Sequence, residues 1–107
     1  MDYQVELALE ATREIEVIVS RIWRDAPLEA VRWQDELQGK LDSLLFMPER
    51  FALAAESEVA PCAVRQLFLG KYRILYTVRE QKVFILAVRH GHRLPMPVAE
   101  IRRRLKP

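Results

Sequence analysis

Gly70-Lys-Tyr72-Arg73-Ile-Leu-Tyr76-Thr-Val78 lies between two other apolar runs, Cys62-Ala-Val64-Arg65-Gln66-Leu-Phe-Leu69 before it and Val83-Phe-Ile-Leu-Ala-Val88-Arg89-His90 after it. The spacers are only Gly70-Lys71 and Arg79-Glu80-Gln81. Connections this short join neighbouring antiparallel strands, so the text predicts a three-stranded meander with strands at about 62–69, 72–78 and 82–89. In the middle strand Tyr72, Ile74, Tyr76 and Val78 share one side, and Arg73, Leu75 and Thr77 the other. One sheet face is expected to cover helices. The opposite face, bearing Arg73, is expected to be at least partly open.

The residues upstream supply those helices. Tyr3, Val5 and Leu7 alternate with Gln4 and Glu6, the period of a half-buried strand over 3–8. From Glu10 the period lengthens, and Ala11, Ile15, Ile18, Val19 and Ile22 fall on one helical face, with Arg13, Glu14, Glu16 and Arg24 mostly on the other. Asp25-Ala-Pro27 ends this helix and starts a second, Asp25 as cap and Pro27 in the first turn. Ala30, Val31, Leu37, Leu41, Leu44 and Leu45 form the second stripe, which Pro48 closes. So short a joint makes the two helices antiparallel neighbours, with Trp23 and Trp33 packing at their junction. Residues 46–61 follow neither period and read as a loop with room for a short helical turn. Residues 97–107 read as a terminal helix with an apolar strip of Val98, Ile101 and Leu105, its Arg102, Arg103, Arg104 and Lys106 favoured by the helix dipole.

The predicted architecture is therefore one α+β domain over residues 1–107: an N-terminal strand, two antiparallel helices, a three-stranded antiparallel meander completing one sheet, and a short C-terminal helix. Half of the residues are hydrophobic and glycine is scarce, which excludes a disordered tail. The lone Cys62 has no partner for an internal disulfide and reads as a small core or sheet residue, which fits a reducing cytoplasm. The first residues lack the pattern of an export signal and no apolar run is long enough to span a membrane, so a cytoplasmic location is expected.

Net charge of +2 conceals two unlike halves. Residues 1–60 carry six Lys or Arg against thirteen acids, a balance of −7, and residues 61–107 carry eleven against two, a balance of +9. The basic half interleaves cations with apolar and aromatic residues, a surface suited to a polyanion or an acidic protein segment. Its candidate contact residues are Arg65, Lys71, Arg73, Tyr76, Arg89, His90, His92 and Arg93. Each arginine also has a plain reading as a solvated or cross-strand partner, and Tyr72 and Tyr76 as sheet aromatics. His90 and His92 share a side if the strand persists, but two ligands without a third make a poor metal site. No metal or other cofactor is expected.

Taken together, the order of elements and the segments Val64-Arg65-Gln66-Leu, Gly70-Lys-Tyr72-Arg73-Ile-Leu-Tyr76, Val83-Phe-Ile-Leu-Ala-Val88 and His90-Gly-His92-Arg93, with Pro48-Glu-Arg50 ending the second helix, resemble the RelE/ParE superfamily of toxins from type II toxin–antitoxin systems. The resemblance covers residues 3–95. It implies a growth-inhibiting toxin of the plasmid-stabilisation type and a cognate antitoxin whose flexible acidic and apolar segment covers the basic surface. Operator DNA would be met only through the antitoxin.

The superfamily divides by mechanism. One branch resembles RelE, a ribosome-dependent mRNA endoribonuclease that needs a base, an acid and cations on the phosphate. Arg73 stands where those nucleases place a phosphate-binding arginine, and His90 or His92 is the candidate acid or base. Against this, Val64 and Gln66 occupy the positions of a lysine pair. The other branch resembles ParE, a poison of DNA gyrase without catalysis of its own. The segment from His90 to Arg93 matches its form, so the resemblance favours gyrase as target, with the nuclease as the alternative.

Overall fold

The computed structural model describes residues 2–106. Strand β1 (Gln4–Leu7) leads into helices α1 (Leu9–Asp25) and α2 (Pro27–Ser43), then single 3-10 turns at Pro48–Arg50 and Ala55–Glu58. The meander follows as β2 (Arg65–Leu69), β3 (Tyr72–Arg79) and β4 (Lys82–His90), and α3 (Val98–Leu105) ends the fold. The four strands form one sheet in the order β1-β4-β3-β2. β2, β3 and β4 pair antiparallel as expected, whereas β1 runs parallel to β4 in the register Gln4↔Lys82 to Leu7↔Ile85. The β2–β3 turn uses Gly70 at φ 56°, a conformation open to glycine without a steric penalty.

The helix stripes bury as their periods require. Ala11 and Ile18 of α1, and Ala30, Leu37 and Leu41 of α2 with Leu44 just after it, are buried; most of them join Leu67, Ile74, Tyr76, Val83, Ile85 and Val88 in a core between the α1–α2 hairpin and the sheet. Each large aliphatic side chain buried there contributes about 1.5–3 kcal/mol. Val31 and Leu45 lie outside this core and are exposed. The helix junction also departs from expectation: Ala26 occupies the cap position with no side-chain bond, Asp25 still belongs to α1, and only Pro27 plays its predicted part. Trp23 is exposed, and Trp33 packs edge-on against Tyr72 of the sheet at 5.7 Å instead of against the hairpin joint.

The larger correction concerns the second sheet face, which is covered. Leu75, Leu86 and Ala87 meet Ala54, Val64, Met96 and Ile101 in a second core, built from the 46–61 connection, the 92–97 segment and α3. β4 is an unbroken apolar run from Val83 to Val88, which is how a strand buried on both faces reads. A β-bulge in the β3–β4 pairing at Leu75/Tyr76 shifts the alternation there.

β1 stops short of the end of β4. Its last partner is Ile85, so the stretch from Leu86 to His90 has no strand on that side. Side chains meet this edge instead: Arg104 of α3 donates to the Leu86 carbonyl at 2.9 Å, and the Val88 N–H donates to Glu14 Oε1 at 3.2 Å. Arg104 and Glu14 are themselves ion-paired at 3.0 Å, joining α3 to α1 across the strand end.

Candidate functional site

Arg73 and Arg89 are direct cross-strand partners on the covered face, two like charges side by side. One carboxylate compensates them. Glu56, placed by the Ala55–Glu58 turn, accepts hydrogen bonds from Arg73 Nη1 at 3.0 Å and Nη2 at 2.8 Å, and its Oε2 also accepts the Met96 N–H at 3.0 Å. Burial opposes the charge on Glu56, but these bonds outweigh it and hold the carboxyl at about 2, below its ordinary range. Gln66 Oε1 accepts a further bond from Arg73 Nη1 at 3.0 Å. Arg73 thus spends three of its five N–H donors on Glu56 and Gln66, and only 7% of it is exposed. Arg89 donates to the Leu94 carbonyl at 3.0 Å, while its Nε has no partner among the described residues. Burial, with Arg93 and Arg73 nearby, lowers its affinity for the proton.

Beyond the end of β1, the other side of the sheet forms a groove of about 290 Å³ between α1 and β4. Val17, Ile18 and Val88 supply its apolar part and Arg13, Arg21 and Arg93 its charge, while Arg89 lines it along β4 with its guanidinium turned to Leu94 on the opposite face. A second cavity of about 420 Å³ adjoins it through Arg21 and Tyr72 and reaches Trp33 and Lys71. An aromatic ladder runs past both: Trp33, Tyr72 and His90 meet edge to face at successive 5.7 Å spacings, and His90 stacks on His92 at 4.9 Å. Gly91 lets this turn close on the β2–β3 hairpin, because its N–H donates to the Lys71 carbonyl at 2.8 Å and a Cβ there would meet that oxygen at 3.2 Å.

Of the residues singled out in the sequence, the structure brings Arg89, His90 and Arg93 to the first cavity and Lys71 to the second. His92 is exposed beside them on the ladder. Arg65 is set apart, half-buried with Nη1 donating to the Phe51 carbonyl at 2.7 Å. Tyr76 is wholly buried, its hydroxyl donating to the Pro48 carbonyl, and burial pushes its phenol up to about 12. Tyr76 thus has no free surface in this conformation and Arg73 very little. At the positions of the nuclease lysine pair, Val64 is fully buried and Gln66 is engaged by Arg73. The His pair has no third donor, and no group of three or more metal-binding side chains exists among the described residues.

A model of the ParE toxin of the type II toxin–antitoxin system parDE matches residues 5–95. The chain belongs to the ParE toxin family. Among solved structures it is similar to a chromosomal ParDE toxin–antitoxin system from P. aeruginosa, with a TM-score of 0.68 at 18% identity over 82% of this chain and 95% of that one. At that identity the likeness concerns the fold. No curated protein matches.

Four site residues escaped the sequence reading. Arg13 and Arg21 sit on α1, within the acidic half, and enter the groove only because α1 crosses the end of β4. Glu14 was legible in principle, lying three residues after Ala11 and four before Ile18 at the margin of the buried stripe. Glu56 had no local sign, since its partner is seventeen residues away in sequence.

Proposed function

We propose that this ParE-family chain is a growth-inhibiting toxin that acts on DNA gyrase by binding, and that a cognate antitoxin neutralises it. The observation that carries the choice of target is the Arg73–Glu56 pair. The arginine that RelE-like nucleases aim at the scissile phosphate is here inside the protein, with its donors on Glu56 and Gln66. An RNA phosphate would have to displace a carboxylate already held in a bidentate, buried geometry. The positions expected to carry the lysine pair also offer no base, which leaves His90 and His92 as the candidates for proton transfer without a free Arg73 to hold the phosphate. Membership of the family supports action in the cytoplasm on gyrase, with operator DNA met only through the antitoxin; no helix of the described residues is long and apolar enough to cross a membrane. Residues 1–107 act as one toxin domain in this reading.

Expression without antitoxin tests the proposal. DNA-damage signalling and loss of gyrase supercoiling are expected after induction, with mRNA intact. Site-specific mRNA cleavage within minutes, abolished by His90→Ala or His92→Ala and with gyrase unaffected, would promote the endoribonuclease.

A further inference from the structure

Nothing within the chain explains a glycine at position 39. Gly39 lies inside α2, where glycine is destabilising relative to alanine, and a Cβ built there would meet nothing within 4 Å. Its bare backbone borders a hollow of about 600 Å³ walled by Glu36, Lys40, Ser43, Arg50 and Phe51. Directly after α2 the chain makes a knuckle that is fixed from within. Met47 is held in the left-handed region at φ 46°, which residues with a side chain rarely adopt, and Arg50 Nη1 donates to the carbonyls of Ser43, Phe46 and Met47. Pro48 is buried, with its carbonyl accepting the Tyr76 hydroxyl. Yet Leu45, Phe46 and Met47 are 44%, 72% and 59% exposed. Backbone strain and hydrogen bonds thus hold three large apolar side chains in water beside a notch.

We infer that this face is a self-complementary surface for a second copy of the chain, in which Phe46 of each protomer seats in the Gly39 hollow of the other. Knob and notch lie on one side of α2, because residues 39 and 46 are seven apart and seven residues make nearly two helical turns. The charges at the two ends of the hollow are opposite and available. Glu36 makes no ion pair among the described residues, and Arg50 engages only Nη1 there. A two-fold axis midway between positions 39 and 46 sets each Phe46 over the partner's Gly39. Glu36 lies one turn before Gly39, and Arg50 folds back over the end of α2, so the same axis sets Glu36 against the partner's Arg50. The missing Cβ lets the aromatic ring reach the α2 backbone. From Glu36 to Arg50 the chain carries three acids and two cations, a mixed surface that matches itself better than it matches a polyanion. So few residues fall well short of a standard interface, which makes the dimer a reversible one with a Kd on the order of 10 μM.

Sedimentation velocity of the full chain, at concentrations spanning that value, is expected to show monomer passing to dimer. Gly39→Gln fills the hollow and should abolish the dimer. It should also keep or raise the melting temperature of the monomer, because the new side chain meets nothing in its own chain and removes a helix glycine. Phe46→Glu should abolish the dimer as well, and Glu36→Arg should weaken it by about tenfold or more. Leu28→Glu, at a side chain 75% exposed near the other end of α2, should dimerise as wild type does. A chain that stays monomeric throughout, a dimer that survives both Gly39→Gln and Phe46→Glu, or one lost equally in Leu28→Glu would overturn the inference. So would a monomeric chain whose binding to the antitoxin or to gyrase is abolished by Phe46→Glu, since the knuckle would then belong to that partner.

Discussion

Glu56 and Arg73 meet through two side-by-side hydrogen bonds of 3.0 and 2.8 Å, with the carboxylate side chain fully buried and the guanidinium side chain 9% exposed. The pair ties the 46–61 connection to the middle of the sheet. It also fixes the 92–97 segment, since Glu56 accepts the Met96 N–H.

Removing one member should therefore be far worse than removing both. Glu56→Ala leaves the Arg73 cation buried without its counter-ion and is expected to cost about 3–5 kcal/mol in urea unfolding. The double variant Glu56→Met/Arg73→Met should recover most of that loss. A double variant as unstable as the sum of the singles would show that the pair is not the source of the effect.

The same carboxylate makes stability fall in acid. Its folded value of about 2 lies below the ordinary 4.5, so its contribution is present above pH 4.5 and is lost as pH drops toward 2. That displacement is worth roughly 3 kcal/mol. Urea midpoints measured from pH 6 to pH 2 should show this slope, and Glu56→Gln should flatten it.

Tyr76 should resist ionisation. Burial holds its phenol up to about 12, so ultraviolet difference absorbance at pH 11 should leave one tyrosine un-ionised in the folded chain. Tyr76→Phe strips the Pro48 carbonyl of its donor and should cost about 1–3 kcal/mol.

Glu14 should be readable through a single amide. The Val88 N–H donates to its Oε1 and has no strand partner on that side. In Glu14→Ala hydrogen exchange at Val88 should accelerate by an order of magnitude or more, while the amides of Arg73 and Leu75 in β3 keep their protection. Unchanged exchange at Val88 would mean that another group guards it.

Period and spacing made the secondary structure legible. The change near Glu10, Pro27 at the start of α2, and the short spacers at Gly70 and Glu80 all mark real boundaries. The covered face is masked in β3, whose alternation points to one open side, although the continuous apolar run of β4 is that of a strand buried on both faces. On that alternation Arg73 reads as an exposed cation. Its burial depends on Glu56 and Met96, contacts that close over long stretches of chain and leave no local pattern. His90, at the end of β4, and Arg93, three residues beyond it, reach the groove from a segment whose place at the strand end is legible, whereas Arg13 and Arg21 enter it only through the way α1 crosses the sheet.

The early end of β1 bears on how the chain keeps to itself. A half-uncovered strand as apolar as β4 would be a template for another β-strand from any neighbouring molecule. Here a carboxylate from α1 and a guanidinium from α3 occupy the Val88 and Leu86 backbone groups that such a strand would seek, so an approaching backbone must first break a salt bridge. Arg104 is thus a gatekeeper against aggregation. Chains clipped before α3 would lose both that guard and the cover over Leu75 and Leu86, and would be expected to precipitate instead of remaining dispersed.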